Sequence, residues 1–486
     1  MIRKNIYNWH RKLSIIIAFP VLIWAISGFI HPIMTNIRPH IATQQQPQTI
    51  IDTSLLKVPL DVALKENSID VFYNCRIIEL NNHLYYQIKK SVNAIPVYFS
   101  TLDGKQLQNG DTLYAIYLAN HFASDKKLDV ESISYITDFT DDYNNINKLL
   151  PVYRVCFKRK DGISIYVDTQ QSRFSFATNN TRSILTRAFT LLHTWSWLGN
   201  LTLLKIIIMT LLMLFTFING VVGLYIFFTT KSKNKKDNKL LKRRRNHRFT
   251  AVFASLFILF FSFSGCVHTL AKLRKDDRGK VIASQNISRN EGSVDIKKIQ
   301  QLINLPIHDI SFVKMNGQAY LRVAIVNNDK SNGNDLMKQM REDAPKIFFI
   351  DLSTYSILQN GEEIYAGYLA NNYLHQNIQS SETVEITAFD DDYDFADKVL
   401  PVWKIKNNSA TLYVETSTAK LRKASSAIGK FDDYSFAFFH KHEFMMFAGK
   451  SAKDISTMFW VAAQIVMIVF GLVLYFNRKK KSSVKK

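Results

Sequence analysis

Three cysteines in 486 residues are too few for a disulfide-stapled scaffold, which needs several spaced pairs. Cys75 and Cys156 share one long polar stretch, where a single bond or two buried thiols would both fit, and Cys266 lies inside an apolar run. No Gly-x-Gly-x-x-Gly or P-loop follows a candidate strand, which argues against a nicotinamide or flavin nucleotide held by this chain. The absence of His-Glu-x-x-His and Gly-x-Ser-x-Gly argues likewise against a zinc protease or an esterase-type hydrolase. The first apolar run is too long for a secretory h-region, and no small-residue cleavage site precedes the polar sequence after it, so it reads as a retained helix.

What the chain has in quantity is apolar length, with 47% hydrophobic and 13% aromatic residues. Four windows, Leu13–Met34, Leu201–Phe228, Phe249–Ala271 and Ile455–Phe476, reach the roughly 20 residues needed to cross a hydrocarbon core of about 30 Å. The net charge of +22 sits mostly at their flanks. Residues 1–12 carry four Lys or Arg, 231–248 carry ten against one acid, and 477–486 carry six. That asymmetry fits the positive-inside rule and argues against nucleic-acid binding. It predicts a bacterial inner-membrane protein with both termini cytoplasmic, in segments 1–34, 35–200, 201–228, 229–248, 249–271, 272–454, 455–476 and 477–486. The basic runs need no chemistry beyond topology and anionic lipid headgroups.

The two halves match in order. His10-Arg11 recurs as His247-Arg248, and Ser27-Gly28 with His31 recurs as Ser264-Gly265 with His268, both at an offset of 237. Leu107–Gly110 returns as Leu358–Gly361 and Tyr117–Asn120 as Tyr368–Asn371. Ile136–Tyr143 returns as Ile386–Tyr393, Leu150-Pro151-Val152 as Leu400–Val402, and Tyr166–Thr169 as Tyr413–Thr416. The pattern predicts a parallel internal duplication about an axis along the membrane normal. Runs such as Ile95–Ser100, Ile163–Thr169, Lys346–Asp351 and Thr411–Thr416 predict strands, with helices near Thr112–Asn120 and Glu363–Asn371. The fold class is thus four transmembrane helices plus two α+β periplasmic domains, 35–200 and 272–454, each large enough for its own core.

Of twelve histidines, six fall at matched places on membrane edges: His10 and His247, His31 and His268, His193 and His440. His10 and His31 are 21 residues apart, as are His247 and His268, which in a helix is roughly 31 Å of rise. Each of the two helices therefore presents one imidazole to each surface. A single interfacial histidine is ordinarily an anchor, but three matched pairs suit axial ligands of haem b iron, two or three haems in all. Zinc lacks clustered Cys or carboxylate co-ligands, and a proton path lacks acids in the helices. The clusters Asp141-Asp142-Tyr143 and Asp390-Asp391-Asp392-Tyr393 read as turns, with a cation or basic substrate as the alternative.

Trp9-His10-Arg11-Lys12-Leu13, Ser27-Gly28-Phe29-Ile30-His31-Pro32, Leu192-His193-Thr194 and the Leu-Pro-Val and Tyr-Val-Asp/Glu-Thr motifs carry a resemblance over nearly the whole chain. It resembles the PepSY-associated transmembrane family, in particular its bacterial ferric-siderophore reductase and iron-uptake branch. The resemblance implies PepSY-like periplasmic domains, haem b on transmembrane histidines, and electron transfer from quinol or a cytoplasmic reductase to a periplasmic ferric siderophore or Fe(III) chelate. Alternatives are a non-enzymatic PepSY binding or regulatory module and an iron or siderophore transporter subunit. Two departures stand out. The Asp-Pro-x-x-Gly turn is replaced by Asp168-Thr-Gln-Gln-Ser and Glu415-Thr-Ser-Thr-Ala, and His442 competes with His440.

Overall fold

The computed structural model describes residues 2–483 except 48, 124–126, 146–147, 231–238, 275, 284, 326–345, 377–381, 391, 395–396, 398 and 409. Residues 231–238 of the basic link, 484–486 of the basic tail and Asp391 of the second acidic cluster therefore lie outside the described residues. The first half runs α1 (Ile2–Asn36), α2 (Leu60–Glu66), β1 (Val71–Phe72), β2 (Asn74–Leu80), β3 (His83–Lys89), β4 (Val97–Ser100), β5 (Gln106–Leu107), α3 (Gly110–Ala123), β6 (Val130–Ile136), β7 (Val152–Phe157), β8 (Ser164–Asp168), β9 (Arg173–Thr178), α4 (Asn180–His193) and α5 (Thr202–Thr229). The second runs α6 (Lys239–Ala271), β10 (Ile287–Ser288), α7 (Ile296–Ile303), β11 (Ile307–Met315), β12 (Gln318–Ile325), β13 (Lys346–Asp351), β14 (Ile357–Leu358), α8 (Gly361–Leu374), β15 (Glu382–Ile386), β16 (Val402–Lys406), β17 (Thr411–Glu415), β18 (Lys420–Ser425), α9 (Ala427–Ser435) and α10 (Lys450–Ser483). Every strand and helix window expected from the sequence overlaps one of these elements, with strand ends shifted by one or two residues and the long helices extended by up to eleven.

Met1–Arg38, Thr181–Asp276 and Ala427–Lys486 form one compact unit, a helical bundle. Within it Asn5–Asn36, Thr202–Thr229, Leu241–Ala271 and Lys450–Asn477 are long and apolar enough to cross a membrane. A helix is the structure such runs must take, because each backbone N–H and C=O has to be satisfied inside the segment. Around the bundle each long helix packs on two others, in the order α1, α5, α6, α10, so α1 and α6 stand opposite one another. Their outward faces stay apolar, with Phe19 71% and Phe228 77% exposed, as a lipid-facing surface requires. The frayed end of α5 is closed by Arg248, which donates to the Phe227 and Thr230 carbonyls at 2.9 and 2.8 Å. A cation there complements both the unpaired carbonyls and the helix dipole.

Pro39–Asn180 and Asp277–Ser426 form the other unit. Each segment has a core of its own, as expected, but the two are also joined: β2 pairs with β11, linking strands of both segments into one eight-stranded sheet, β14-β13-β12-β11-β2-β3-β4-β5. One core, including Ile77, Phe99, Ile310 and Leu321, draws on both segments. Two four-stranded antiparallel sheets, β6-β7-β8-β9 and β15-β16-β17-β18, complete the unit, with α3 and α8 in cores that draw on the large sheet and on one small sheet each. The recurring Leu-Gln-Asn-Gly has a physical cause. Asn109 and Asn360 adopt left-handed φ of 54° and 51°, and a Cβ on Gly110 or Gly361 would sit 2.7 Å or 2.5 Å from the Cβ of Tyr98 or Phe349. Only glycine lets the helix start so close to the strand.

Tyr143 and Tyr393 explain the acidic clusters. Their rings are buried against Tyr166 and Tyr413 at 4.3 and 4.7 Å, and their hydroxyls donate to the Leu149 and Val399 carbonyls. Asp390 accepts from the Asp392 and Tyr393 amides, so it shapes a turn. Cys75 and Cys156 are both free thiols.

The buried charges of this unit meet at the altered turns. Arg76 pairs with Asp309 at 2.9 Å across the β2–β11 seam and also donates to the Gln170 carbonyl. Glu415 pairs with both Arg173 and Arg422. Burial pushes the Glu415 carboxyl up, but the two guanidinium groups more than reverse this and hold it below the usual range. Its folded-state affinity for a proton is therefore lower than the unfolded one. The stability it contributes is complete above the ordinary glutamate value of about 4.3 and lost as pH falls below that. Glu415→Gln should destabilise this unit by about 3 kcal/mol at neutral pH and flatten the acid limb of a thermal-melt profile followed by circular dichroism. An unchanged profile would show that the two arginines do not depend on it.

Candidate functional site

All six matched histidines belong to the bundle unit. Ser27 and His31 lie four residues apart on α1, hence on one face, and Ser264 and His268 repeat this on α6. On α4, Phe189 and His193 are likewise four apart, and Phe436 and His440 span a π-helical turn after α9. The structure brings these rings into one chain. His31 lies 5.3 Å from Phe189, which stacks on His193 at 4.7 Å. His193 meets His440 edge-on at 6.2 Å, His440 stacks on Phe436 at 4.6 Å, and Phe436 stacks on His268 at 4.2 Å. A phenylalanine thus separates the two histidines within each half, whereas His193 and His440 face each other directly.

The serines set the imidazole tautomers. Ser27 Oγ donates its one proton to the Trp24 carbonyl at 3.0 Å, so at 2.9 Å from His193 Nδ1 it can only accept. Ser264 Oγ donates to the Phe260 carbonyl at 2.8 Å and accepts from His440 Nδ1 at 3.2 Å. Each ring therefore carries its proton on Nδ1 and a lone pair on Nε2. That is the arrangement of a metal-binding histidine whose other nitrogen is held by a hydrogen-bond partner.

His10 and His247 form the second group, near enough for their charges to interact. Each packs on a glycine of the neighbouring helix: a Cβ on Gly223 would lie 3.2 Å from His10 Cε1, and one on Gly471 3.2 Å from His247 Cε1. Neither buried Nδ1 makes a hydrogen bond of good geometry, although Asn219 lies near enough to act on His10 and the Met467 backbone on His247. Buried ring nitrogens without partners are costly, and here they sit in glycine-floored niches. Imidazoles are the donor type that a haem iron takes. Among the described residues no three His, Cys, Asp or Glu side chains gather into a bare-metal site.

His442 is a different kind of residue. It stands 247 positions after Trp195, as His440 does after His193. Trp195 stacks on Trp24 at 5.5 Å and His442 on Phe261 at 5.3 Å, both with φ of 55°. Its Nδ1 meets Ser456 Oγ at 3.1 Å, and Phe261 links it to His440 at 5.4 Å. The two halves differ at His268, whose Nδ1 lies 3.3 Å from the Asp432 carboxylate. The aligned position in the first half is Leu185. An acid beside His268 is thus supplied by α9, while α10 carries Asp454. Sequence reasoning matched Ser27 and Ser264 without giving them a role; their spacing of four from His31 and His268 was the available signal. Phe189 and Phe436 were matched at the offset of His193 and His440 but had no role, and Gly223 and Gly471 gave no signal beyond being small.

An apolar four-helix bundle with matched histidines, joined in sequence to a β-rich unit, defines a class of membrane protein with interior imidazole sites. The family model described as PepSY-associated TM region matches residues 7–302, and the chain belongs to that family. No curated protein matches the chain.

Filling the inner niches should be harmful. Gly223→Leu should force His10 aside and lower the melting temperature in detergent, by about 1–3 kcal/mol of overpacking. Gly367→Ala on α8, where nothing lies within 4 Å of the added Cβ, should be neutral or slightly stabilising. Equal tolerance at both sites would remove the close packing of His10 on α5 from the argument.

Proposed function

We propose that this protein is a haem b oxidoreductase of the bacterial inner membrane that reduces Fe(III) chelates, ferric siderophores among them, on the periplasmic side. The observation that carries this reading is the pair His193 and His440, each tied through Nδ1 to a serine and each left with a free Nε2 lone pair, 6.2 Å apart. In this reading His31, His193, His268 and His440 hold the outer haem or haems, and His10 with His247 holds the inner one, two or three in all. Bound haem would supply the one-electron Fe(III)/Fe(II) couple.

The chain's own residues do the rest. Ser27 and Ser264 keep the imidazoles in the ligating tautomer, Phe189 and Phe436 fix ring orientation, and the apolar bundle excludes water. Ligand groups roughly 31 Å apart along α1 and α6 give an electron separate points of entry and exit. Quinol or a cytoplasmic reductase is the donor, a Fe(III) chelate takes one electron per iron, and lipid surrounds the bundle. The matched halves support a parallel duplication, with residues 39–180 and 277–426 periplasmic and both termini cytoplasmic.

Dithionite-reduced protein from haem-replete cells should show b-type α and Soret bands. His193→Ala or His440→Ala should lose outer haem and ferric-chelate reduction while still inserting, and Ser27→Ala with Ser264→Ala should lower haem occupancy less severely. A colourless wild-type preparation would favour a non-enzymatic PepSY binding or regulatory module. A reporter fused after Lys486 should be active only in the cytoplasm; periplasmic activity would overturn the topology.

A further inference from the structure

The sheet unit holds a cleft that the electron-transfer reading does not use. It lies where the two altered turns meet, and its lining includes Arg76, Lys89, Gln170, Gln171, Ser417 and Lys420. Its interior of about 30 Å³ has room for roughly two or three water-sized groups, which suits a small polar head and not a whole chelate.

The charge balance there is uneven. Arg76 is matched by Asp309, but Glu415 is shared between Arg173 and Arg422. Lys89 Nζ donates to Gln170 Oε1 at 3.0 Å and Lys420 Nζ to the Leu150 carbonyl at 3.4 Å. Among the described residues no carboxylate lies within ion-pair distance of either lysine. Asp168 is near enough to act on both. Asp111 also acts on Lys89, so five cations, Arg76, Lys89, Arg173, Lys420 and Arg422, face four carboxylates, Asp309, Asp168, Asp111 and Glu415. Burial, followed by the charge of Lys420, lowers Lys89 to about 8, and burial lowers Lys420 as well. Buried positive charge without a counter-charge is costly, and an anion in the cleft would relieve it. No carboxylate lines the cleft itself, and the side-chain amides of Gln170 and Gln171 offer neutral donors beside the lysines.

We propose that this cleft is an oxyanion site that binds a carboxylate or phosphate head between Lys89 and Lys420. The head could come from a free anion or from a carboxylate arm of a ferric chelate, and only the second source rests on the reductase reading. Binding is measured on full-length oxidised protein in detergent, without electron donor, in phosphate-free buffer. Inorganic phosphate, citrate, ferric citrate and a ferric trihydroxamate, which has no carboxylate arm in its iron shell, are titrated calorimetrically.

Saturable binding of phosphate or citrate is expected, weakened at least tenfold by Lys89→Gln and by Lys420→Gln, kept by Lys89→Arg and unchanged by Lys105→Gln. Circular dichroism checks folding, and half-buried Lys420 gives a second variant if Lys89→Gln fails to fold. Ferric citrate binding more tightly than citrate would identify the chelate as the source; equal binding, with phosphate also bound, would identify a free anion. No saturable binding to wild type, or unchanged affinity in both glutamine variants, would overturn the site. Haem absorbance is read separately, so a colourless protein that binds phosphate would refute the reductase reading and keep the cleft.

Discussion

Hydrocarbon offers no hydrogen-bond partner, so every polar atom that faces the bundle interior has to be answered there. The consequences run from backbone to site. The long apolar runs become helices; Arg248 closes the carbonyl end of α5; Asn219 donates to Ser14 across α1 and α5 at 3.0 Å. Ser27 and Ser264 obey the same constraint twice, spending a proton on their own helix and a lone pair on an imidazole. The buried bundle atoms left without a partner among the described residues include the Nδ1 atoms of His10 and His247, beside Trp24 Nε1, Thr210 Oγ1, Asn219 Oδ1, His442 Nε2 and Gln464 Nε2.

The sheet unit solves the opposite problem. Its centre is charged, because β2 and β11 join there and bring Arg76 and Asp309 together from positions 233 residues apart. The turns that depart from the family pattern, at Asp168 and Glu415, supply the partners. Thr169 with Ser172, and Thr416 with Ala419, stand where the pattern has proline and glycine; between them Gln170 meets Lys89 through its side chain and Arg76 through its carbonyl, and Ser417 meets Arg173.

Much of the bundle was legible in the sequence because its signals are local. Apolar length marks the four spans, and the i,i+4 step from Ser27 to His31 already puts a hydroxyl and an imidazole on one face. Leu-Gln-Asn-Gly was legible as a repeat, although its cause, the close approach of Gly110 to Tyr98, is tertiary. The shared eight-stranded sheet was not legible, since nothing near β2 indicates that its neighbour is β11. The same holds for the role of the phenylalanines between the histidines, which look like ordinary apolar residues until they are stacked.

The choice between His440 and His442 shows how the two kinds of information combine. Sequence alone offers two imidazoles two residues apart. The offset of 247 that carries His193 to His440 also carries Trp195 to His442, and tryptophan cannot serve as an axial ligand. The structure gives His442 the tryptophan's task, stacking on the aromatic ring of the preceding helix from a left-handed backbone position. His440 keeps the serine, the phenylalanine and the facing histidine. A pattern read at the level of one residue is ambiguous, but each residue's neighbours travel with it, and the neighbours assign the role.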